Sequence, residues 1–333
     1  MPRTIDRRAL VIIAAVAIAI RFALIAIPFA YVPDVYYYDM QASQALMSGV
    51  NPYGHQYIVP QNLATAGAQN VFAYLPGVVE FLAPFGAIGD VRLGLVTCDC
   101  LVAVALYSMK NRRAGPTAVA YLAFPPAILF STWYPNDTLV GMAFLGLALA
   151  TRHQGWYSIS AALTGLALAS SQLVWLFYPF VLLADLKNRR LKEIILGLLV
   201  AVAASAPFVI WNLSALINNT IFFEFGRPVQ KLLTAEPFGV NVNPTLSGLA
   251  MTLFGVSVPL ALKVGIAVAA LLPLLLKTTT SQKVLLNGSV FVVIAIFVLP
   301  DNFSWWYLEL PLVTIMAWFI SSTEAVTSSS LNP

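Results

Sequence analysis

The sequence predicts an all-α polytopic membrane protein with about 10 transmembrane helices, and with further helices lying along the membrane surface in two extracytoplasmic loops. Of its 333 residues, 59% are hydrophobic and only 10% are charged, whereas a soluble domain carries about 25% charged residues. One soluble core cannot bury so much apolar surface, so we expect most of it to face lipid. The apolar residues also form separate runs, of which several are short compared with the ~20 residues that cross a bilayer.

The predicted spans follow these runs in order. The first begins after Arg8, reaches about 20 residues and lacks a small-residue cleavage site after it, so we expect a retained helix rather than a signal peptide. Hydropathy places the spans at 10–30, 93–109, 114–131, 138–151, 156–170, 172–185, 194–213, 260–276, 284–300 and 305–320.

Basic residues predict the orientation, because cytoplasmic loops are enriched in Lys and Arg. With the N-terminus in the cytoplasm, 13 of the 18 basic residues fall inside. This holds only if 74–89 and 243–259 do not cross. Glu80 and two prolines make the first a poor span, and we expect helices at the outer interface in both. The chain is then one integral-membrane domain, 1–333, with both termini cytoplasmic and two extracytoplasmic loops, 31–92 and 214–259.

Carboxylates and aromatic residues open the first of these loops. Asp34-Val-Tyr-Tyr-Tyr-Asp39 comes directly after the first span and is followed by Ala42, Gly49 and Asn51-Pro-Tyr53. A carboxylate at this height lies near the lipid phosphates and can take a proton from a hydroxyl as a general base. Alternatively, both acids belong to a solvated loop and cap a helix that starts near Tyr37.

The spacing D-x3-Y-x3-A-x6-G-x-N-P-Y resembles the first external loop of GT-C fold glycosyltransferases. The branch it is most similar to includes the mannosyltransferases that depend on polyprenyl-phosphate-mannose. The resemblance implies inverting transfer of a sugar, with mannose expected first, from a polyprenyl-monophosphate donor to a lipid-linked or glycolipid acceptor at the extracytoplasmic face. It also implies that Asp34, in register with Tyr38, is the catalytic base, and that Asp39 is the second choice.

Other candidate site residues lie at the predicted outer face. Tyr38, Tyr53 and His55 are expected to contact substrate, although an exposed loop histidine is an equally good interpretation of His55. Asp137, which opens the fourth span, could bind acceptor hydroxyls, hold a divalent ion or only cap the helix. Trp306, in an aromatic turn between the last two spans, could stack on a sugar or only anchor at the interface.

The donor phosphate should meet a cation or polar hydrogen-bond donors. Similar glycosyltransferases carry a Lys near the position of Ser171, whereas this chain has Ser171-Gln172, so Gln172 is a substrate-binding candidate and the cation must come from elsewhere. Arg227 is the first choice because a guanidinium binds phosphate bidentately; the alternative is a loop salt bridge with Glu224. No cofactor is certain, although Asp34, Asp39 and Asp137 could hold Mg²⁺ or Mn²⁺.

Two charges fall inside the predicted membrane region, Arg21 in the first span and Asp99 in the second. Such charges are costly, and the helical rise gives them similar depths. We expect a structural ion pair, with donor-phosphate binding by Arg21 as the alternative. Cys98 and Cys100 flank Asp99 and are expected to be buried and inert.

Two other functions compete with the glycosyltransferase. A transporter or lipid flippase would place paired charges and broken helices near the midplane, and only Arg21 and Asp99 fit that arrangement. The second alternative is a non-catalytic scaffold subunit of a membrane complex. The acids and aromatics gather on one face instead, which favours the enzyme. Its expected partners are the polyprenyl-phosphate sugar donor, a glycan or glycolipid acceptor and membrane lipids, with no nucleic acid.

Overall fold

The computed structural model describes residues 6–27, 34–59, 71–133, 135–223, 229–236, 239–302 and 304–329. These residues contain fourteen α-helices, and every predicted span coincides with one or two of them. The helices are α1 Arg7–Ala26, α2 Asp34–Met47, α3 Pro76–Ala87, α4 Arg92–Ser108, α5 Ala114–Leu122, α6 Pro125–Thr132, α7 Thr138–His153, α8 Tyr157–Ser170, α9 Gln172–Lys187, α10 Leu191–Ile217, α11 Leu246–Phe254, α12 Leu260–Leu276, α13 Ser281–Val298 and α14 Glu309–Ser329.

The third predicted span is bent rather than continuous, which corrects the expectation of one helix over 114–131. Its two halves, α5 and α6, meet at 52°. Pro125 and Pro126 explain the bend, because neither has an N–H group to continue the helix. Pro125 also disfavours a helical conformation at Phe124, which is extended at φ −70° and ψ 116°.

Helix lengths vary widely across the described residues. Two helices are long and apolar enough to span a membrane alone, α1 and the stretch Leu191–Phe222, and the bent α5–α6 pair would be a third. The second of these joins α10 to a π-helix, Asn218–Phe222. Within α10 the backbone breaks at Asn212, whose side-chain oxygen accepts the Ala215 N–H at 3.0 Å and so starts the next turn.

Helices lie in both predicted extracytoplasmic loops. In the first, α2 begins at Asp34, three residues before its predicted start. It runs antiparallel to α3, because Met40 contacts Val91 beyond the end of α3 while Tyr53 bonds to Tyr74 before its start. The second contains α11 and an unpredicted antiparallel hairpin of β1 Leu233–Glu236 and β2 Gly239–Val242, with Leu233 opposite Val242.

Small residues bring several helices unusually close. Gly165 of α8 faces Gly197 of α10, where any side chain at position 165 would overlap the Gly197 backbone oxygen. The break between α8 and α9 at Ser171 is extended, at φ −152° and ψ 128°. It lies beside Gly141 of α7, and Gly77 of α3 packs on the preceding Ser170. These contacts fix α3 over the α8–α9 break.

The predicted ion pair between Arg21 and Asp99 is confirmed. Arg21 Nε and Asp99 Oδ2 are 2.9 Å apart, and both side chains are fully buried. The Tyr121 hydroxyl donates to Asp99 Oδ1 at 2.7 Å. Of the flanking thiols, Cys98 is buried and Cys100 only partly so. The pair joins α1 to α4 and α5 in the interior.

Candidate active site

Asp39 and Asp137 are two buried acids near the predicted outer ends of the spans, and because the charge of Asp137 acts on Asp39 we call them the carboxylate pair. Their exposed fractions are 1% and 4%. Neither carboxylate oxygen of Asp39 has a hydrogen-bond partner within the described part of the chain. Burial, followed by the negative charge of Asp137, raises the pKa of Asp39 well above its ordinary value. The sequence analysis grouped both residues with Asp34 as possible ligands of a divalent ion, and did not single out these two.

The local sequence explains how each carboxylate reaches the pair. Asp39 belongs to the buried face of α2 together with Val35 and Ala42, which are spaced at helical intervals. Asp137 directly precedes α7, yet its side chain makes no hydrogen bond that caps this helix. Asn136 supplies the cap instead, since its Oδ1 accepts the Thr138 N–H at 3.0 Å and the Thr138 hydroxyl at 2.6 Å.

Asp34 occupies a different environment, five residues before Asp39. It is the first residue of α2 and is partly exposed, and its Oδ1 accepts the Val35 N–H at 2.9 Å. The N-terminus of a helix carries a partial positive charge, which stabilises a carboxylate there. The two acids of the motif are therefore distinct: Asp34 lies at a partly hydrated helix end, and Asp39 in the interior.

Tyr38 and His55 gather around Tyr57, a residue that the sequence analysis did not single out. The Tyr38 and Tyr57 rings meet edge to face at 5.6 Å, and the His55 and Tyr57 rings at 5.1 Å. Burial, followed by the charge of Asp39, raises the pKa of Tyr57. These three aromatic side chains therefore lie near Asp39. The only sequence signal for Tyr57 was its position after the Asn51-Pro-Tyr53 turn.

Tyr53 and Gln172 lie together elsewhere. The Tyr53 hydroxyl donates to the Tyr74 carbonyl at 2.6 Å, and Asn219 donates to the Tyr53 carbonyl at 3.0 Å. Gln172 reaches the carbonyl of Thr220, the next residue, at 3.4 Å. The start of the π-helix is thus held by the Tyr53 carbonyl from the first loop and by the Gln172 side chain from α9. Substrate binding by Tyr53 and Gln172 stays a prediction.

Two further predicted site residues are Arg227 and Trp306. Arg227 lies outside the described residues. Trp306 belongs to a short 3-10 helix, Trp305–Leu308, of which the backbone is described. Two other outer cations are paired: Arg92 with Asp90, and Lys263 with Asp301 at 2.7 Å.

Glu309 is, like Tyr57, a residue that the sequence analysis missed. It opens α14, is 4% exposed, and its Oε2 accepts a hydrogen bond of 3.0 Å from Asn136 Nδ2. An acid at a helix start directly after the aromatic turn was the available signal. Across the described ranges, no three His, Cys, Asp or Glu side chains gather as a metal site. Binding of Mg²⁺ or Mn²⁺ stays a prediction, for which Asp39 and Asp137 would supply two ligands.

Comparison with solved structures shows a shared fold. The crystal structure of ArnT from Cupriavidus metallidurans bound to undecaprenyl phosphate superposes with a TM-score of 0.60 at 15% sequence identity. The apo structure of the same protein gives 0.55 at 16% identity. Each match covers 93% of this chain and 59% of the ArnT chain. The chain thus spans about three fifths of the ArnT length.

Comparison with protein-family models and with curated protein sequences found no match to this chain. The structural likeness nevertheless extends over 93% of the chain. The sequence prediction of the fold class is therefore confirmed: this is an α-helical, polytopic membrane protein with a GT-C-like fold.

Proposed function

We propose that the chain is an inverting glycosyltransferase, which moves a sugar from a polyprenyl-monophosphate donor to a lipid-linked or glycolipid acceptor. The observation that carries this proposal is the GT-C-like fold over 93% of the chain, with acids on the helix that directly follows α1. ArnT, which shares the fold, binds undecaprenyl phosphate. The protein is multi-pass in the cell membrane, with cytoplasmic termini and an extracytoplasmic site, as the basic residues indicate.

Asp34 is the proposed catalytic base. A base must be ionised before it can accept a proton, and the N-terminus of α2 stabilises the Asp34 carboxylate. Asp39 has the opposite environment, since burial and Asp137 raise its pKa and favour its protonated form. Asp39 remains the second choice, and together with Asp137 it is suited to hydrogen-bonding acceptor hydroxyls.

The reaction needs one proton transfer and one displacement. Asp34 takes the proton from an acceptor hydroxyl while the hydroxyl oxygen forms a bond to C1 of the sugar. The bond between C1 and the phosphate oxygen breaks, and polyprenyl phosphate leaves with the electron pair. Attack from the opposite face inverts the configuration at C1. The leaving phosphate is stable as an anion and needs no acid.

Arg227 is the proposed phosphate contact. Arg92 and Lys263 already pair with carboxylates, and Arg21 is buried against Asp99. The pairing of Arg21 with Asp99 also removes support for the transporter, because the two intramembrane charges satisfy each other instead of lining a midplane site. Mannose is the first donor sugar to test, because the motif of the first loop resembles the mannosyltransferase branch.

The test measures sugar transfer from radiolabelled polyprenyl-phosphate mannose by membranes that contain wild-type protein, Asp34→Asn or Asp39→Asn. Loss of a general base lowers the rate by about 10²–10⁴-fold, so Asp34→Asn should be almost inactive. Asp90→Asn is the matched control, because it removes another carboxylate from the same loop and should retain most activity. Inversion is checked from the anomeric configuration of the product.

The outcomes separate the parts of the proposal. Selective loss in Asp39→Asn would keep the reaction and move the base by five residues. If wild type transfers no mannose, polyprenyl-phosphate glucose is the next donor. If the folded and membrane-inserted protein transfers sugar from neither donor, the proposal that it is a glycosyltransferase is overturned.

A further inference from the structure

A groove runs between α5 and α14 on the outside of the helix bundle. Its volume is about 420 Å³, and its walls are mainly apolar: Pro116 and Ala120 of α5 face Ile315, Trp318 and Phe319 of α14. In each helix these residues are three or four positions apart, so each wall is one helix face. Ala120, Ile315 and Phe319 are exposed. We call this feature the α5–α14 groove.

Basic residues surround one end of the groove. Arg113, three residues before Pro116, donates from Nη1 to the Phe319 carbonyl at 3.3 Å, and its guanidinium carbon lies 4.3 Å from the centroid of the Phe319 ring. Lys110 and Arg112 come just before it in the chain and are exposed. Within the described ranges, none of these three cations forms an ion pair with a carboxylate. Their positive charge is therefore available to a ligand.

The start of α1 adds charge of the same sign. A carbon added at Gly115 would lie 3.7 Å from Leu10 Cδ1, so the starts of α1 and α5 are neighbours. Arg7 and Arg8 are exposed there. Asp6, the acid beside them, caps α1 by accepting the Arg8 N–H at 3.0 Å. The charge balance at this end is thus positive, on the side that the distribution of basic residues assigns to the cytoplasm.

An apolar groove with cations at one end complements an anionic lipid. A guanidinium can donate to a phosphate from two N–H groups at once. Arg113 carries five such donors, of which the Phe319 carbonyl engages one. The cytoplasmic leaflet is the one that carries anionic lipids, and basic pockets between transmembrane helices on that side bind their headgroups.

The size of the groove favours a lipid chain over a partner protein. An α-helix with its side chains is about 10 Å wide and rises 5.4 Å per turn. The groove therefore holds only about one turn of a helix, which is too little to seat a helix from another protein. An acyl chain is narrower and flexible, so it can lie between the two helix faces.

We propose that the α5–α14 groove binds one acyl chain of an anionic phospholipid from the predicted cytoplasmic leaflet, while Lys110, Arg112 and Arg113 hold its phosphate. The carboxylate pair lies near the opposite, outer ends of the predicted spans, so the two sites are separate. Neither the sugar donor nor the transfer reaction enters this inference. It therefore goes beyond the proposed function and can fail independently of it.

Lys110 offers a variant that removes charge without straining the fold. Its φ is 53°, a left-handed conformation that favours glycine, so Lys110→Gly should not weaken the turn. Arg189→Gly is the matched control, because Arg189 is also an exposed cation, at φ 55°, and does not line the groove. Ala120→Phe fills the groove without changing the charge. Ala203→Phe, at an exposed position of α10, is its control.

The measurement is the melting temperature of the purified protein in detergent during titration with lipid, because a ligand that binds only the folded state stabilises it. The probes are phosphatidylglycerol, phosphatidylcholine with the same acyl chains, and glycerol phosphate, which carries the headgroup charge without a chain. We expect phosphatidylglycerol to raise the melting temperature of wild type most. Native mass spectrometry should show that the protein retains this lipid.

The variants should separate the headgroup from the chain. The apparent affinity for phosphatidylglycerol should fall by about fivefold in Lys110→Gly and by about fivefold more when Arg112→Gln is added, since each basic residue near the surface contributes to attraction of an anionic lipid. Ala120→Phe should lose most of the shift. Arg189→Gly and Ala203→Phe should respond as wild type does. Higher salt should weaken binding to wild type, because the headgroup contact is ionic.

Several results would overturn the inference. Equal shifts with phosphatidylcholine would show that the charge is not recognised, and a full shift with glycerol phosphate would assign the cations to free phosphate. An equal loss in Arg189→Gly would reduce the effect to the net charge of the protein, and undiminished binding by Ala120→Phe would exclude the groove. A dimer without bound lipid in native mass spectrometry would assign the groove to a second copy of the chain.

Discussion

Arg21 donates a hydrogen bond of 2.7 Å from Nη1 to the backbone oxygen of Leu122, the last residue of α5. In a continuous helix that oxygen would accept from residue 126, but Pro126 has no N–H group. The guanidinium that pairs with Asp99 therefore also satisfies a carbonyl left open by the bend between α5 and α6. One buried cation thus stabilises both a tertiary contact and a broken helix.

Breaking this pair on one side should cost more than removing it. Asp99→Asn leaves the buried Arg21 charge unpaired and should lower the free energy of unfolding by about 3–5 kcal/mol. The double variant Arg21→Gln/Asp99→Asn should lose less, because no buried charge remains. Denaturant unfolding of both variants in detergent checks this. Equal losses would contradict it.

Asp39→Asn should stabilise the protein at neutral pH. Burial raises the pKa of Asp39 in the folded state, while the unfolded value is about 3.9. The stability linked to this raised pKa is fully present below the unfolded value and is lost as pH rises through the folded value. Asparagine removes that loss, so the free energy of unfolding should rise by about 1–3 kcal/mol at pH 7. Thermal unfolding should show that this gain disappears near pH 4.

Asp34→Asn is the matched control for this measurement, since it removes a charge from the N-terminus of the same helix. It should cost about 0.3–1 kcal/mol at pH 7, a change of opposite sign. A destabilising effect of Asp39→Asn at pH 7 would instead show that the Asp39 carboxylate is ionised and well solvated.

Glu80→Gln should also stabilise the protein, as Asp39→Asn does, and its effect should be seen at about pH 8. Partial burial on α3 raises the pKa of Glu80 to about 7, from an unfolded value of about 4.3. Its contribution is lost as pH rises through about 7, so the glutamine variant should be more stable at pH 8, with the gain fading toward pH 4.5. We expect about 1 kcal/mol, because the carboxyl is partly hydrated. An equal difference in melting temperature between Glu80→Gln and wild type at both pH values would refute this.

The crossing of α8 and α10 should tolerate no side chain. Gly165→Ala places a methyl group against the Gly197 backbone and 2.8 Å from the Val200 Cβ. The helices must separate, at a cost of about 1–3 kcal/mol or more. Gly265→Ala on α12 is the control, because nothing lies within 4 Å of its added carbon. Comparable melting temperatures for the two variants would show that the crossing can relax.

Local patterns predicted the helices well and the contacts between them poorly. Apolar runs placed α4 within one residue of its ends, and the cost of intramembrane charge was sufficient to pair Arg21 with Asp99. The bend at Pro125 could have been predicted from the two prolines. The approach of Asp137 to Asp39, and of Glu309 to Asn136, depends on how distant helices pack. No local periodicity contains that information.

The break at Ser171 has a consequence for the surrounding lipid. With 14 and 16 residues, α8 and α9 extend only about 21 and 24 Å, whereas the hydrocarbon layer is about 30 Å thick. If α8 starts and α9 ends at the inner boundary, the chain turns back at Ser171 several ångströms below the outer boundary, and α3 fills the remaining height. Lipids beside this flank must tilt or shorten to match it. Acyl-chain length should therefore influence how easily a membrane-borne substrate reaches the protein.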